Sequence, residues 1–214
     1  MALQLILGSC GCGKSHVMYE QLIKDSLEHP QQNYIVIVPE QYTMQTQKNI
    51  VSMHPRHGVM NIDILSFGRL AFRIFEELGR NDARVLEDTG KRMVIRKVLE
   101  QKRRELKVFG GSIPKTGFSG EIKSMISELL QYNVSPGQLE DCVRQLPDHS
   151  VLGEKLKDLG VIYQGFKDYI EGHFLTAEEI LTRLCPLIMD SSIIKESYIY
   201  LDNFTGFTPA QYQV

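Results

Sequence analysis

Long apolar runs are missing from this sequence of 214 residues. A membrane-spanning helix needs about 20 consecutive apolar residues, and no stretch of the chain approaches that length. The residues ahead of the first glycine-rich loop are too few and too uncharged for a secretory signal peptide. These absences argue against a membrane or secreted protein, so no membrane partner and a cytoplasmic location are expected.

Cysteine is also scarce, with four residues in the whole chain. Cys10 and Cys12 stand in the glycine-rich loop, whereas Cys142 and Cys185 are distant from them and from each other. That spacing fits neither a disulfide framework nor a zinc site of the C-x-x-C type. A metal held by Cys10 and Cys12 is the weaker alternative, because a thiolate pair would compete with an anion for the same loop.

The chain has little net charge, since 24 basic and 26 acidic side chains give a formal charge of −2 at pH 7. The overall field therefore cannot attract nucleic acid, and any such affinity must come from local patches. Hydrophobic residues make up 43% of the composition, which is enough for a proper core. The length suits one large domain or one domain with an insertion.

The glycine-rich loop predicts a nucleotide site. Positions 8–15 read GSCGCGKS, which matches the phosphate-loop pattern G-x-x-x-x-G-K-[ST] at every fixed position. Glycines there allow the turns with positive φ that aim backbone N–H groups at phosphate oxygens, next to the positive end of a helix. The predicted nucleotide-binding residues are Gly8, Ser9, Cys10, Gly11, Cys12, Gly13, Lys14 and Ser15.

ATP and Mg²⁺ are the ligands that this loop predicts. Lys14 is expected to reach the β- and γ-phosphates, and the Ser15 hydroxyl to join the Mg²⁺ shell. An apolar run at 2–7 precedes the loop and a helical pattern at 16–23 follows it, which is the context that the motif requires. This context disfavours the alternative of a chance glycine-rich turn.

Four short aliphatic runs predict the strands of a parallel sheet that is buried on both faces. They lie at 2–7, 34–38, 61–65 and 197–201. From about 85 to 189 only helical periodicity is found. The expected fold is therefore α/β, with the P-loop domain over 1–84, an all-helical insertion over 85–190 and a return strand over 191–214.

The fourth run ends in Asp202-Asn203. In phosphate-loop ATPases an Asp at this place holds Mg²⁺, and a Glu that follows it stands beside the attacking water. Asp202 is therefore the predicted Mg²⁺ ligand besides Ser15, with a simple turn cap as the alternative. Asn203 has no basic site to accept a proton from water, so hydrolysis is expected to be slow or absent.

Two segments that follow the middle strands are candidates for DNA contact. They read PEQYT at 39–43 and SFGRLAFR at 66–73, and the carboxyl ends of parallel strands meet at one edge of a sheet. Their polar, aromatic and guanidinium groups suit phosphates and stacked bases. Each segment is also readable as an ordinary strand-to-helix connection. The residues assigned to this contact are Pro39, Gln41, Thr43, Ser66, Phe67 and Arg69.

A basic stretch occupies the predicted helix from Lys91 to Lys107. It holds eight basic residues against two acidic ones, Glu100 and Glu105. Such a helix is typical of a surface that tracks a phosphate backbone. It is equally typical of a solvated helix face, and the pattern alone leaves both interpretations open.

The chain resembles the N-terminal part of the AddB proteins, called RexB in some lineages, of the bacterial AddAB helicase–nucleases. The likeness lies in GSCGCGKS, IVIVPEQYTMQTQ, DILSFGRLAFRIF, LKVFGG, KLKDLGVIYQGFKDYI and IYLDNFTGFTP, and it runs over essentially the whole chain. It implies a P-loop NTPase fold of the superfamily 1 helicase type. Segments 39–43 and 66–69 then stand at the single-strand-contacting positions, and the helical region is an inserted subdomain.

The resemblance also implies a setting. Proteins of this kind form a heterodimer with an AddA-type motor subunit, work on single-stranded DNA and duplex ends during recombinational repair, and help to recognise Chi. They have no helicase activity of their own. The nuclease and 4Fe-4S cluster of the family belong to a C-terminal part beyond Val214, so the chain is expected to be a fragment that is not catalytic alone.

Two other classes of function remain open. The closer is a structural DNA-binding protein with a vestigial nucleotide site. The other is a P-loop kinase for small molecules, which would need a lid and an acceptor-binding carboxylate soon after the loop, and none is evident in the sequence.

Overall fold

The computed structural model describes residues 3–80, 84–147 and 150–214. The chain folds as two compact units: Met1–Gly79 with Leu184–Phe207, and Arg80–Arg183 with Thr208–Val214. We call them the sheet unit and the helical unit. In this described part, no helix is long and apolar enough to cross a membrane.

Helices and strands alternate along much of the chain. In chain order they are α1 (Lys14–Glu28), β1 (Asn33–Ile37), α2 (Thr43–Met53), β2 (Ile62–Leu65), α3 (Phe67–Glu77), β3 (Arg84–Leu86), α4 (Asp88–Lys102), α5 (Phe118–Gln131), α6 (Pro136–Arg144), α7 (Val151–Ile170), β4 (Phe174–Thr176), α8 (Glu179–Leu184), α9 (Ser192–Lys195), β5 (Ser197–Leu201) and α10 (Pro209–Gln213). Two 3₁₀ helices lie at Glu40–Tyr42 and Cys185–Asp190.

The sheet unit is built on a parallel sheet in the order β2-β1-β5. Tyr34 at the start of β1 is level with Ile62 on one side and Tyr198 on the other. Residues 34–38 are buried without a break, as expected for a strand covered on both faces. Their inward side chains pack against Leu22 of α1 and Ile50 of α2. The predicted α/β class with a parallel sheet is thus confirmed.

The predicted first strand, at 2–7, is wrong for the residues that the structure describes, which begin at Leu3. Residues 3–9 adopt no regular secondary structure, and Leu3 and Leu7 are each 86% exposed. Among the described residues, β5 has a strand on one side only. An apolar run indicates that its side chains gain by burial, but it does not specify which part of the protein covers them.

The helical unit has its own core, formed by α4, α5 and α7. Its fully buried side chains include Ile95, Ile126, Ile162 and Phe166. The helical structure predicted from the periodicity of this region is confirmed, but the expectation of helical structure alone from 85 to 189 is wrong. The strands β3 and β4 form a separate parallel pair in this unit. Strands of three residues are too short to produce a recognisable alternation of side chains.

A buried carboxylate organises the loop that follows α4. Asp158 on α7 is 3% exposed. Its oxygens accept hydrogen bonds from the successive backbone N–H groups of Lys107, Val108 and Phe109, at 3.0, 2.7 and 2.8 Å. These bonds compensate the carboxylate for its lost hydration, so the loop and α7 are held together.

In the sheet unit, Glu77 holds the segment that leads back into β5. Its carboxylate accepts hydrogen bonds from Ser191 Oγ at 2.6 Å and from the backbone N–H of Ser192 at 2.7 Å, as well as from the Ser192 hydroxyl. The acceptor lies at the amino end of α9, where backbone N–H groups have no partner inside the helix. The last residue of α3 thereby caps α9.

Acid should loosen this cap. Burial raises the pKa of Glu77, but the hydrogen bonds from Ser191 and Ser192 outweigh it and lower the pKa from 4.5 to about 2. A carboxyl group with a lowered pKa contributes its full stability above its unfolded value, and the contribution is lost as the pH falls through the folded value. Amide exchange of residues 191–197, corrected for intrinsic rates, should therefore accelerate from about pH 4.5 to pH 2.

The substitution Glu77→Gln should remove this pH dependence and give fast exchange already at neutral pH. The neighbouring Glu76→Gln is the matched control, because Glu76 is exposed and lies outside the cap. Equal exchange profiles for the two variants would contradict the role of Glu77.

Candidate nucleotide site and sheet edge

The glycine-rich loop has the backbone form that its sequence predicts at two of its three glycines. Gly11 and Gly13 have φ values of 76° and 87°, in the left-handed region that side chains with a Cβ rarely adopt. Gly13 is the N-cap of α1, so the loop opens directly into the positive end of a helix of 15 residues. Gly8 has another role, because a Cβ there would lie 2.4 Å from Cys12 Sγ.

Backbone carbonyl groups of the loop hold the side chain of Lys14 over the loop. Its ammonium donates hydrogen bonds to the carbonyl oxygens of Gly8 and Ser9, at 3.0 and 2.7 Å. Cys12 Sγ lies 4.0 Å from the same nitrogen, and the thiols of Cys10 and Cys12 are free and exposed. A positive charge thus stands beside a glycine turn at the start of a helix, which is the arrangement that favours anions.

The structure brings together the two predicted Mg²⁺ ligands, which are 187 positions apart in the sequence. Ser15 Oγ donates a hydrogen bond of 2.8 Å to Asp202 Oδ1. Asp202 follows β5 directly, and its N–H bonds to the carbonyl of Ile37 at 3.1 Å. The register of β5 against β1 therefore places the carboxylate beside the first turn of α1.

Tyr19 is a third member of this group, and the sequence reasoning missed it. Its hydroxyl donates a hydrogen bond of 2.6 Å to Asp202 Oδ2. Burial, followed by this bond to Asp202, raises the pKa of Tyr19 to about 12, so the phenol keeps its proton and remains a donor. The available signal was the spacing, since Tyr19 lies four residues after Ser15 and so on the same face of α1.

The donor set fits a magnesium ion bound together with a nucleotide. Ser15 and Asp202 offer a hydroxyl and a carboxylate oxygen, which are the hard ligands that Mg²⁺ prefers. Proteins usually bind Mg²⁺ through one or two such groups, with phosphates and waters completing the shell. Over residues 3–80, 84–147 and 150–214 there is no cluster of three or more His, Cys, Asp or Glu suited to a metal.

Asn203 has an unusual backbone. Its φ of 63° lies in the left-handed region, where Asn is the best tolerated residue after Gly. Its side-chain amide donates a hydrogen bond of 3.2 Å to Asp202 Oδ2. The residue is exposed and presents an amide next to Asp202, the predicted Mg²⁺ ligand.

The two segments predicted to contact DNA meet at the carboxyl edge of the sheet. Arg69 Nε lies 3.3 Å from Glu40 Oε1, and these side chains are 60% and 64% exposed. Gln41 is also exposed, and Pro39 is half-buried. An exposed guanidinium and an amide are therefore available to a ligand at this edge.

The other three residues assigned to DNA contact participate in the fold. Ser66 is the N-cap of α3, and its hydroxyl accepts the N–H of Arg69. Thr43 is buried, and its hydroxyl donates to the carbonyl of Glu40 at 2.9 Å. Phe67 is 9% exposed, and its ring packs against Phe204 and Phe207. The six assignments stay predictions, and the structure adds core and capping roles for these three.

Comparison with known proteins identifies the family. Residues 5–214 match the family model described as "ADDB, N-terminal". This chain belongs to the ADDB N-terminal family. The resemblance seen in the sequence is thereby confirmed.

Similar proteins of this ADDB group share one name, which describes the B subunit of an ATP-dependent helicase/deoxyribonuclease. That of Lachnoclostridium phytofermentans is 48% identical over 214 residues, covering 100% of this chain and 19% of the relative. Those of Desulforudis audaxviator and Geobacillus kaustophilus are 36% and 34% identical over 218 and 222 residues, again covering 100% of this chain and 19% of each relative. The chain thus spans about a fifth of the length of these relatives.

Tyr19→Phe should loosen the group around Asp202. The variant removes a hydrogen bond to a charged group, worth about 1.5 to 3 kcal/mol. Amide exchange in the first two turns of α1 should then quicken by roughly tenfold to a hundredfold. Tyr132→Phe, at an exposed tyrosine of the helical unit, controls for the substitution itself. Unchanged exchange in α1 would show that the Tyr19–Asp202 bond does not hold the helix.

Proposed function

We propose that the sheet unit binds ATP–Mg²⁺ and turns it over slowly or not at all. The observation that carries the proposal is the hydrogen bond of 2.8 Å between Ser15 and Asp202, beside a loop with left-handed glycines at 11 and 13. This juxtaposition supplies an anion site and two magnesium ligands in one place. The glycine turn and the Ser15–Asp202 bond could each have a purely structural role, whereas their occurrence side by side favours a P-loop nucleotide site.

The residues divide the work of binding among them. Backbone N–H groups of residues 8–13 and the dipole of α1 attract the phosphates, and Lys14 adds a charge-assisted contact. Bound Mg²⁺ would neutralise phosphate charge, with Ser15 and Asp202 as its protein ligands. Tyr19 and Asn203 hold Asp202 from its other oxygen, at 2.6 and 3.2 Å.

Slow turnover follows from what stands at position 203. Hydrolysis needs a group that orients the attacking water and positive charge at the γ-phosphate. Asn203 offers an amide that donates to Asp202, and an amide cannot accept the proton of water as a carboxylate does. The site is thus suited to nucleotide-dependent control of DNA binding. A structural protein with a vestigial site is the rival, because Lys14 is already satisfied by Gly8 and Ser9.

For the whole protein, we propose the role that the names of its relatives state, that of the B subunit in an ATP-dependent helicase/deoxyribonuclease. It would act in the cytoplasm with an AddA-type motor subunit, on single-stranded DNA and duplex ends, in recombinational repair that depends on Chi. The exposed Arg69 and Gln41 suit the single strand. The nuclease and the 4Fe-4S cluster are assigned to parts of the protein outside this chain.

Lys14→Ala should weaken ATP–Mg²⁺ binding by about tenfold to a hundredfold, because it removes a charge-assisted contact worth about 1.5 to 3 kcal/mol. Isothermal titration calorimetry on the full-length protein measures the change. Lys24→Ala is the matched control, since Lys24 is an exposed lysine on the same helix. Equal ATP affinity in both variants would exclude the loop as a nucleotide site. If the DNA affinity of the wild-type protein is the same with and without ATP, the alternative of a vestigial nucleotide site is favoured.

Asn203→Glu tests the cause of slow turnover. If the missing carboxylate is the main defect, the variant should hydrolyse ATP at least about tenfold faster than the wild type in a DNA-stimulated assay. Asn203→Gln is the matched control, because Gln meets the same strain at a φ of 63° without adding a carboxylate. Lys14→Ala gives the background rate. Robust hydrolysis by the wild type, abolished by Lys14→Ala, would refute slow turnover outright.

The DNA contact at the sheet edge can be tested with one substitution that removes a positive charge and one that removes a negative charge. Arg69→Ala should lower the slope of log affinity against log salt by about 0.7, the value for one lost contact to single-stranded DNA. Glu40→Gln removes the acidic partner of Arg69 and should strengthen binding. Fluorescence anisotropy with a labelled oligonucleotide measures both. Wild-type affinity and salt slope in both variants would contradict a DNA contact at this edge.

A further inference from the structure

The eight basic residues from Lys91 to Lys107 fall into two groups by residue type. All four lysines are engaged within the helical unit. Lys91 is 2% exposed and donates to both carboxylate oxygens of Glu178, at 2.7 and 2.9 Å, and to Ser127 Oγ at 3.3 Å. Its burial rules out contact with an external phosphate, so the suggestion that the whole stretch tracks a backbone is wrong at this residue.

The remaining lysines are partnered at the surface. Lys97 Nζ lies 4.7 Å from the centre of the Tyr169 ring. Lys102 pairs with Glu105 at 3.1 Å, and Lys107 pairs with Glu154 at 3.2 Å. These lysines therefore serve contacts within the helical unit, among α4, α7 and the loop after α4.

The four arginines have no such explanation. Their side chains are all exposed, and none makes a hydrogen bond or ion pair with another side chain in the described parts of the chain: Arg92, Arg96, Arg103 and Arg104. Arginine presents a planar fork of donors that matches phosphate oxygens, and it is more weakly hydrated than lysine. The residue type that best binds phosphate has thus been left free.

Three of these arginines form a row along the helix. At about 100° per residue, Arg92, Arg96 and Arg103 lie within about 40° of one another around the axis. Arg103 follows the last residue of α4 and keeps helical backbone angles, with φ −47° and ψ −39°. A rise of about 1.5 Å per residue spreads the row over about 16 Å. Duplex DNA carries about ten charges over that length.

We propose that this arginine row binds the phosphate backbone of DNA, as a contact surface separate from the sheet edge. The proposal rests on the proposed DNA-binding function and adds a second place of contact. A protein partner is disfavoured because stable protein interfaces have an apolar centre. The exposed neighbours of the row on α4 include the polar Thr89 and Glu100, and among the exposed residues of α4 only Met93 is apolar.

Glu100 makes the proposal testable in both directions. It is exposed on the same side of α4, between Arg96 and Arg103 in sequence, and it forms no ion pair within the described residues. A carboxylate there repels a phosphate backbone. Removing its charge should therefore strengthen DNA binding, which a purely structural role of the helix surface does not predict.

The experiment measures binding of the full-length protein to a labelled duplex with a single-stranded tail, by anisotropy at several salt concentrations. The double variant Arg92→Gln/Arg96→Gln should lower the salt slope by about 2, close to 0.9 for each lost phosphate contact. At fixed low salt its affinity should fall at least about tenfold. Glu100→Gln should raise the affinity severalfold.

The matched control is Lys115→Gln/Lys155→Gln, which removes the same charge from two exposed lysines of the helical unit. Equal effects of the two double variants would overturn the arginine row, as would an unchanged affinity in Glu100→Gln. Unaltered DNA binding with weaker association to the motor subunit would make the row a protein contact and overturn the proposal. If Arg69→Ala lowers the affinity and Arg92→Gln/Arg96→Gln does not, the proposed function stands and the arginine row is overturned. If the wild-type protein does not bind DNA, the proposed function and the arginine row are both overturned.

Discussion

The carboxylate of Asp202 is the contact on which the sheet unit depends. It accepts hydrogen bonds from Ser15 and Tyr19 on the first helix and from its neighbour Asn203 after the last strand. These donors come from opposite ends of the chain, with the helical unit between them in sequence. Closing a loop of this length has an entropic cost, which the sheet pairing of β5 with β1 helps to offset.

Two other carboxylates also connect segments that are distant in sequence. Asp158 binds three consecutive backbone N–H groups of the loop after α4, and Glu77 caps the helix that leads into β5. In each case one acidic group satisfies several donors that the local backbone leaves without partners. Salt bridges at the surface, such as that between Glu40 and Arg69, contribute less because water screens them.

Local patterns predicted much of the fold and of the site. The helix after the loop followed from apolar periodicity, and the strands β1, β2 and β5 from short aliphatic runs. Ser15 was predicted from the phosphate-loop motif, and Asp202 from its place at the end of a strand. The exposed run from Leu3 and the short β3 and β4 could not be predicted in this way, because partner choice and three-residue pairing leave no periodic signal. The role of Lys91 depends on its contact with the distant Glu178, which a one-dimensional pattern does not contain. For Tyr19 the spacing from Ser15 indicated the shared helix face, but not the bond to Asp202.

The backbone at Asn203 limits which side chains position 203 can hold. A left-handed residue accepts Asn or Gly readily, whereas most side chains there cost about 1 kcal/mol or more. A glutamate at position 203 would therefore meet the strain of the turn and would lose the amide that donates to Asp202. The turn thus favours a short amide at position 203 over a longer acidic side chain.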